Sequence, residues 1–518
     1  MLSFVHPFQV SLLEAASTLL LVCATYAISL AVYRVYLHPL SKYPGPKLAA
    51  ATQWYEFYFD VLKRGRFAWE IKRMHDLYGP VVRINPHELH VSEPEFYDEL
   101  YAGPTKKRNK YNWAYDLAMV EGSAWTTLDN DLHRKRRAPL APYFSLSAIR
   151  QFDPVIREKL KILDQKLEKC RDSNKVICLD DAFVALATDI ITQYAFGVSQ
   201  GLLEADEFNP GWLKLLRGTS EQSLLTKHVP WLVRGLRRVP VALLLWLEPQ
   251  VAEAVRFSED VQRSLDNAIS DKHKRDSHNV HPTIFHELLN SDLPASERSP
   301  KRLLSEGLVV VAAGTLTSAH YLKTTAYHIL ANPAVLERLQ EELETVMPDA
   351  EVLPPFQDLN QLPYFNAVIN EGFRLTHGVI TRLTRIAPTE ALHVPGTTFT
   401  IPAGTPTSMS SWLVHLHPAL FPSPDAFRPE RWLEPGAERL KKHLVNFIKG
   451  SRVCLGKDLA RAEIVYTLAL LVRRWAARGR EGMGMRLWET TRRDVEIERD
   501  FFNPFPALDS QGARVVFG

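Results

Sequence analysis

Residues 447–456 read FIKGSRVCLG and place Cys454 between two glycines and beside a basic residue. Cys454 is one of only four cysteines in 518 residues; the others are Cys23, Cys170 and Cys178. A lone cysteine is most often a small buried apolar residue, so its surroundings must decide whether it is instead a metal ligand. The stretch that follows, LGKDLARAEIVYTLALLVRRW, reads as an amphipathic helix, which puts the sulfur just before a helix N-terminus. There the dipole and free backbone N–H groups stabilise a thiolate. Gly450 and Gly456 permit a tight loop whose backbone approaches a flat cofactor closely. Arg452 is suited to pairing with a carboxylate, and Phe447 offers an aromatic cover. Zinc or iron–sulfur sites need more cysteines. One sulfur facing backbone amides suits a haem iron with thiolate ligation.

The remaining cysteines are too widely spread for a disulfide framework, and no CxxC pair suggests zinc. Hydrophobic residues at 46% against 23% charged point to a globular chain. A net charge of +3 excludes a globally basic nucleic-acid coat. Ala15 to Tyr33 carries no charged residue and is long enough to cross a bilayer as a helix. It is longer than a signal-peptide core. No lysine or arginine precedes it, while Arg34, Lys42 and Lys47 follow, so the positive-inside rule leaves the large remainder cytosolic. Next comes LHPLSKYPGPKL, a stiff, non-helical connector.

Val81–Ile84 and Glu88–Ser92 read as strands around an Asn85-Pro86 turn. Leu303–Leu330 reads as a long helix stopped at Asn332-Pro333, with Gly314 at its centre marking a close approach or a kink. Pro333–Met347 and Leu362–Leu375 are further helices, and Thr398–Ser410 is β-like around a turn. Helix dominates, with minor sheets at both ends.

The pattern Phe447-x-x-Gly450-x-Arg452-x-Cys454-x-Gly456 resembles the haem-binding signature of the cytochrome P-450 family. The resemblance implies that Cys454 is the axial ligand of haem iron, within a mainly α fold with small β-sheets. It divides the chain into an N-terminal transmembrane anchor, residues 1–37, and a haem-thiolate catalytic domain, residues 38–518. Glu371 and Arg374, at i,i+3 on one helix face, and Arg431 in PDAFRPERWL resemble the family's ExxR helix and meander. Their implied role is structural, a buried network supporting the cysteine loop. Ala313-Gly314-Thr315-Leu316-Thr317-Ser318 resembles the oxygen-binding helix motif. It implies that Gly314 leaves room over the iron and that Thr317 helps deliver a proton. Leu316 stands where the family carries an acid, so water, Thr315 or Ser318 must relay protons instead. His133 and Arg137 occupy the family's W-x-x-x-R positions, with His replacing Trp. They, Arg385 and Arg452 are the implied partners of the haem propionates.

Arg134, Lys135, Arg136, Lys449 and Lys457 form an expected basic patch for an acidic electron donor. By resemblance that donor is an NADPH-cytochrome P-450 reductase. Val229–Pro249 mixes Trp and Leu with arginines and reads either as a membrane-dipping lid or as a core helix. The run Lys106–Lys110 reads as a solvated loop, ahead of the pocket candidates Trp113, Leu117 and Met119. His415-x-His417 reads as a loop feature and not as a metal site. The implied activity is insertion of one oxygen atom into a hydrophobic small molecule at the endoplasmic reticulum membrane. The style of the chain is similar to filamentous-fungal, trichodiene-oxygenase-like members, which suggests a terpenoid or meroterpenoid substrate. Two rivals stay open: a haem-thiolate dehydratase or isomerase, motivated by Leu316, and a non-catalytic membrane-anchored ligand-binding protein.

Overall fold

A computed structural model describes residues 12–114, 120–231, 235, 239, 251–271, 282–476 and 484–518. Its first element, α1 (Leu12–Val32), runs into a π turn over Tyr33–Leu37. At 1.5 Å per residue α1 is about 31 Å long, which matches a bilayer core. Leu19, Leu20, Leu21 and Ile28 all stand exposed on it. An apolar helix that buries none of its side chains against protein is seeking an apolar solvent. The connector behind it is non-helical as far as Pro46.

Six helices that position the site are α2 (Asn130–Arg137), α3 (Leu146–Asp172), α4 (Leu179–Phe196), α5 (Pro300–Leu330), α6 (Pro363–Thr376) and α7 (Lys457–Leu470). Proline at its first position starts α5, and Asn332-Pro333 ends it as the sequence predicts. By length and composition α5 could cross a membrane, yet it is largely buried within the protein. A helix that is apolar on most faces belongs to the interior, and α5 packs along α4, α6 and α7. Apolar residues of α3, α4, α5, α6 and α7 share one continuous core, including Phe183, Ile191, Val311, Leu316, Phe365 and Val465.

Small sheets flank this core. β1 (Val81–Arg83) and β2 (Leu89–Val91) pair antiparallel, with Val81 opposite Val91. They extend through β6 (Thr407–Ser408) and β5 (Arg385–Ile386) to β3 (Asn109–Lys110), in the order β1-β2-β6-β5-β3. A second sheet joins β4 (Ile177–Cys178), β10 (Arg514–Phe517) and β7 (Met485–Leu487), and β8 (Arg499–Phe501) pairs with β9 (Asn503–Phe505) as a hairpin. Leu117, Met119 and most of Val229–Pro249 lie outside the described residues.

Candidate active site

The cysteine loop leads into α7 as expected: Gly456 caps a helix that begins at Lys457. The Cys454 N–H donates to the Phe447 carbonyl at 2.8 Å, which closes the loop on itself. Gly450 has φ +75°, and a Cβ there would lie 2.1 Å from the Ala102 carbonyl oxygen, so only glycine fits. Gly456 differs from expectation. Its φ is −86° and a Cβ would meet nothing within 4 Å, so the protein itself does not demand glycine there. The Cys454 side chain is exposed. Even so, the protein mass around it raises its pKa, while the Gly456 N–H and the Arg137 guanidinium pull the other way. Those two groups are what a thiolate needs at a helix N-terminus.

Behind the loop lies the network that Glu371, Arg374 and Arg431 were expected to form. Glu371 and Arg374 are 0% exposed and joined by two bonds, Nε to Oε2 at 3.0 Å and Nη2 to Oε1 at 2.7 Å. Arg431 Nε donates to Glu371 Oε1 at 3.2 Å. The Trp432 indole N–H, whose role the sequence did not reveal, donates to Oε2 at 2.9 Å. The remaining guanidinium donors reach the carbonyls of Pro422, Pro424 and Ala426, so every charge has partners. The network holds the cysteine loop through two neighbours. Phe447 meets Phe373 of α6 edge to face at 5.1 Å, and His415 Nε2 accepts from the Val445 N–H at 2.9 Å. His415 is therefore a buried structural residue ending a short helix, and not the loop feature expected.

A second cluster gathers basic side chains around His133. His133 is buried, and the charges acting on it are Arg452, Lys110, Arg137 and Arg385, which together with desolvation push its pKa down to about 2. Arg452 donates to the carbonyls of Thr127 at 2.8 Å and Leu128 at 3.0 Å, and Arg385 to those of Thr384 at 3.1 Å and Leu383 at 3.2 Å. Lys110 lies on β3 directly opposite Arg385 on β5 and donates to the Trp125 carbonyl. Burial first, then Arg385 and Arg452, hold its pKa well below the usual lysine range. The solvated-loop reading of Lys106–Lys110 therefore fails for two residues. Lys110 is buried here, and Arg108 is buried with ion pairs to Glu99 and Glu390. A charged run masked them, because strand pairing turns alternate residues inward.

The face of α5 opposite the core carries Ala313, which is exposed, and Thr317, which is half-buried. The Thr317 hydroxyl donates to the Ala313 carbonyl at 2.8 Å, one turn back along the same face. The other motif residues turn elsewhere. A Cβ on Gly314 would lie 2.8 Å from Ile191 Cγ1, so this glycine serves the close approach of α4 and is not freed to clear the other side. Thr315 is buried against α4, its hydroxyl 3.2 Å from that of Thr188, which also accepts from the Trp212 indole at 3.0 Å. Leu316 belongs to the apolar core. Of the expected basic patch, Arg134, Lys135 and Lys457 are exposed and Lys449 pairs with Asp98 at 2.6 Å. Arg136 turns inward to Glu297 at 2.7 Å and leaves the patch. Trp113 reaches Glu56 Oε1 at 3.4 Å and packs edge-on against His228.

A buried cluster of cations beside a cysteine at a helix N-terminus fits a planar, doubly anionic, metal-bearing group. Its carboxylates would find Arg137, Arg385, Arg452 and Lys110, and its metal a soft sulfur ligand. Comparison with known proteins agrees. The cytochrome P-450 family profile matches residues 51–485. A tryptophan 6-hydroxylase of Fusarium equiseti is 41% identical, covering 98% of this chain and 97% of its own. A cytochrome P-450 monooxygenase of Cochliobolus heterostrophus is 41% identical over 95% of this chain and 94% of its own. An N-acetyltryptophan 6-hydroxylase of Emericella nidulans is 38% identical over 96% of each. A cytochrome P-450 crystal structure shares the fold with a TM-score of 0.66 at 18% identity, over 87% of this chain and 94% of that one. The chain belongs to the cytochrome P-450 family and is a haem-thiolate monooxygenase with protoporphyrin IX haem as its cofactor.

Proposed function

We propose that the protein inserts one oxygen atom from dioxygen into a hydrophobic small molecule of secondary metabolism, with electrons from NADPH through a membrane-bound flavoprotein reductase. The observation that carries this reading is the pairing of Cys454, ahead of α7, with the basic groups Arg137, Arg385 and Arg452 gathered around His133. In this reading Cys454 would supply the sulfur ligand of the iron, and the arginines would hold the propionates. His133 adds a neutral ring N–H in place of the family's tryptophan. The haem supplies dioxygen activation, favoured by thiolate donation. The chain's own part is to orient and to manage protons. Ala313 keeps the open face of α5 small, and Thr317 holds a proton at Oγ1, one turn from the Ala313 carbonyl. Glu371, Arg374 and Arg431 keep the loop in place.

Residues 1–37 serve as a single-pass anchor in the endoplasmic reticulum membrane, with residues 38–518 on the cytosolic side. The exposed apolar surface of α1 supports this. The substrate is a terpenoid, a meroterpenoid or an indole compound. The last class is added because two relatives are named for hydroxylating tryptophan derivatives. Against the isomerase rival stand the relatives, which are named as monooxygenases and hydroxylases. Two experiments test the proposal. Cys454→Ala should abolish the thiolate-type carbon-monoxide difference band of the reduced protein. Product formation in the reconstituted system should require both NADPH and dioxygen; product without either sinks the monooxygenase reading for this chain.

A further inference from the structure

Glu88 stands where the turn between β1 and β2 closes, its carbonyl accepting from the Ile84 N–H at 3.2 Å. Its side chain is fully buried. A buried carboxylate is costly unless its oxygens find donors, and those of Glu88 find them on a distant stretch of chain. Arg382 Nε donates to Oε1 at 3.0 Å and Arg382 Nη2 to Oε2 at 3.1 Å, a two-point clasp. Thr384 Oγ1 donates to Oε1 at 2.6 Å, and Asn85 Nδ2, within the turn, to Oε2 at 3.1 Å. Glu56 is buried beside them and accepts from Arg382 Nη2 at 2.7 Å, but it also takes donors from Lys227, Asn85 and Trp113. Burial opposes the charge on Arg382, and Glu56 and Glu88 outweigh it.

The gripped stretch leads directly into Arg385. Between Thr376 at the end of α6 and Arg385 at the start of β5 there is no helix or strand, so no ladder fixes residues 382–384. From Arg385 onward the backbone is held by pairing with Lys110 on β3 and Thr407 on β6. The Arg385 guanidinium turns back on the stretch before it, where Nη1 donates to the Thr384 carbonyl at 3.1 Å and to the Leu383 carbonyl at 3.2 Å. Both carbonyls belong to the stretch that Glu88 grips at Arg382 and at Thr384. A side chain that binds a ligand needs its own orientation fixed by its neighbours. We propose that Glu88 is a positioning residue for the cofactor site: by clamping Arg382 and Thr384 it fixes the carbonyls that aim the Arg385 guanidinium. The inference rests on the assignment of Arg385 to the propionates.

The test uses the haem-loaded full chain and the resonance Raman band of propionate bending, which reports what the propionates are bonded to. Glu88→Gln should shift this band in the same direction as Arg385→Gln, the direct variant, and should quicken haem loss to an apo-haem acceptor severalfold. Thr384→Val leaves Glu88 in place and removes one donor. It should give a smaller shift of the same sign, and it decides the question if Glu88→Gln does not fold. In the double variant Glu88→Gln/Arg385→Gln, haem should leave no faster than from Arg385→Gln alone, because both changes act through one contact. A merely structural role would lower the thermal unfolding midpoint of Glu88→Gln and Thr384→Val while the band stayed in place. That result, or additive haem loss in the double variant, overturns the proposal and leaves the assignment of Arg385 standing. If the band does not move in Arg385→Gln itself, that assignment fails and the proposal fails with it.

Discussion

Two buried charge clusters lie close to the cysteine loop, and they are built on opposite plans. Around Glu371 one carboxylate meets two arginines and an indole N–H, and backbone carbonyls absorb the surplus donors. Around His133 the acting charges are all positive. The first cluster is complete within the protein. The second gathers several basic side chains in one place, Lys110, Arg137, Arg385 and Arg452. Buried ions are tolerated when paired and costly when one-signed. The balanced cluster fits a supporting role, and the gathering of basic groups fits the carboxylates of the proposed haem site. The two also answer differently to substitution.

The largest effect is expected from breaking the balanced cluster. Glu371→Gln leaves two arginines buried without their carboxylate and should cost about 3–5 kcal/mol of stability. Thermal unfolding and the yield of folded protein check it. If the variant folds as well as the wild type, the network is not the support claimed for it. A smaller and qualitatively different effect is expected from Lys110→Met. Removing one of several like charges should leave the fold intact but loosen haem retention by about 1.5–3 kcal/mol, the worth of a charge-assisted hydrogen bond. Haem content per folded molecule, read from the Soret-to-protein absorbance ratio during dialysis against an apo-haem acceptor, measures this. An unchanged ratio would remove Lys110 from the site. The smallest effect tests donor against charge. With its pKa pushed down to about 2, His133 contributes a neutral N–H. Thus His133→Trp should retain haem within about 1 kcal/mol of wild type, whereas His133→Phe should lose about that much. A His133→Trp variant that sheds haem would show that the imidazole itself is required.

What could be read from the sequence differs between these regions for a physical reason. Glu371 and Arg374 share a helix face through i,i+3 spacing, and Arg431 sits in a stretch of distinctive composition, so the pair and its partner were legible. Trp432 was not, because an aromatic beside a motif gives no sign of where its N–H points. Lys110 was misread because a run of charges looks solvated until strand pairing brings it opposite Arg385. Gly314 was read as marking a close approach or a kink. A glycine in a helix announces that something comes close, and only the packing shows that this is Ile191 of α4. Leu316 looked like a missing catalytic acid, yet its place is in the core.

By itself the sequence determined the family, through the spacing of Phe447, Gly450, Arg452, Cys454 and Gly456. It also determined the apolar N-terminal helix, through its length and lack of charge, and the C-terminal end of α5, through Asn332-Pro333. These are local properties, set by covalent neighbours and by helix and strand periodicity. Only the tertiary structure decided which charges are buried together and which face of α5 is open. Those depend on segments far apart in the chain, such as residues 110 and 385, whose meeting is fixed by packing of the whole core.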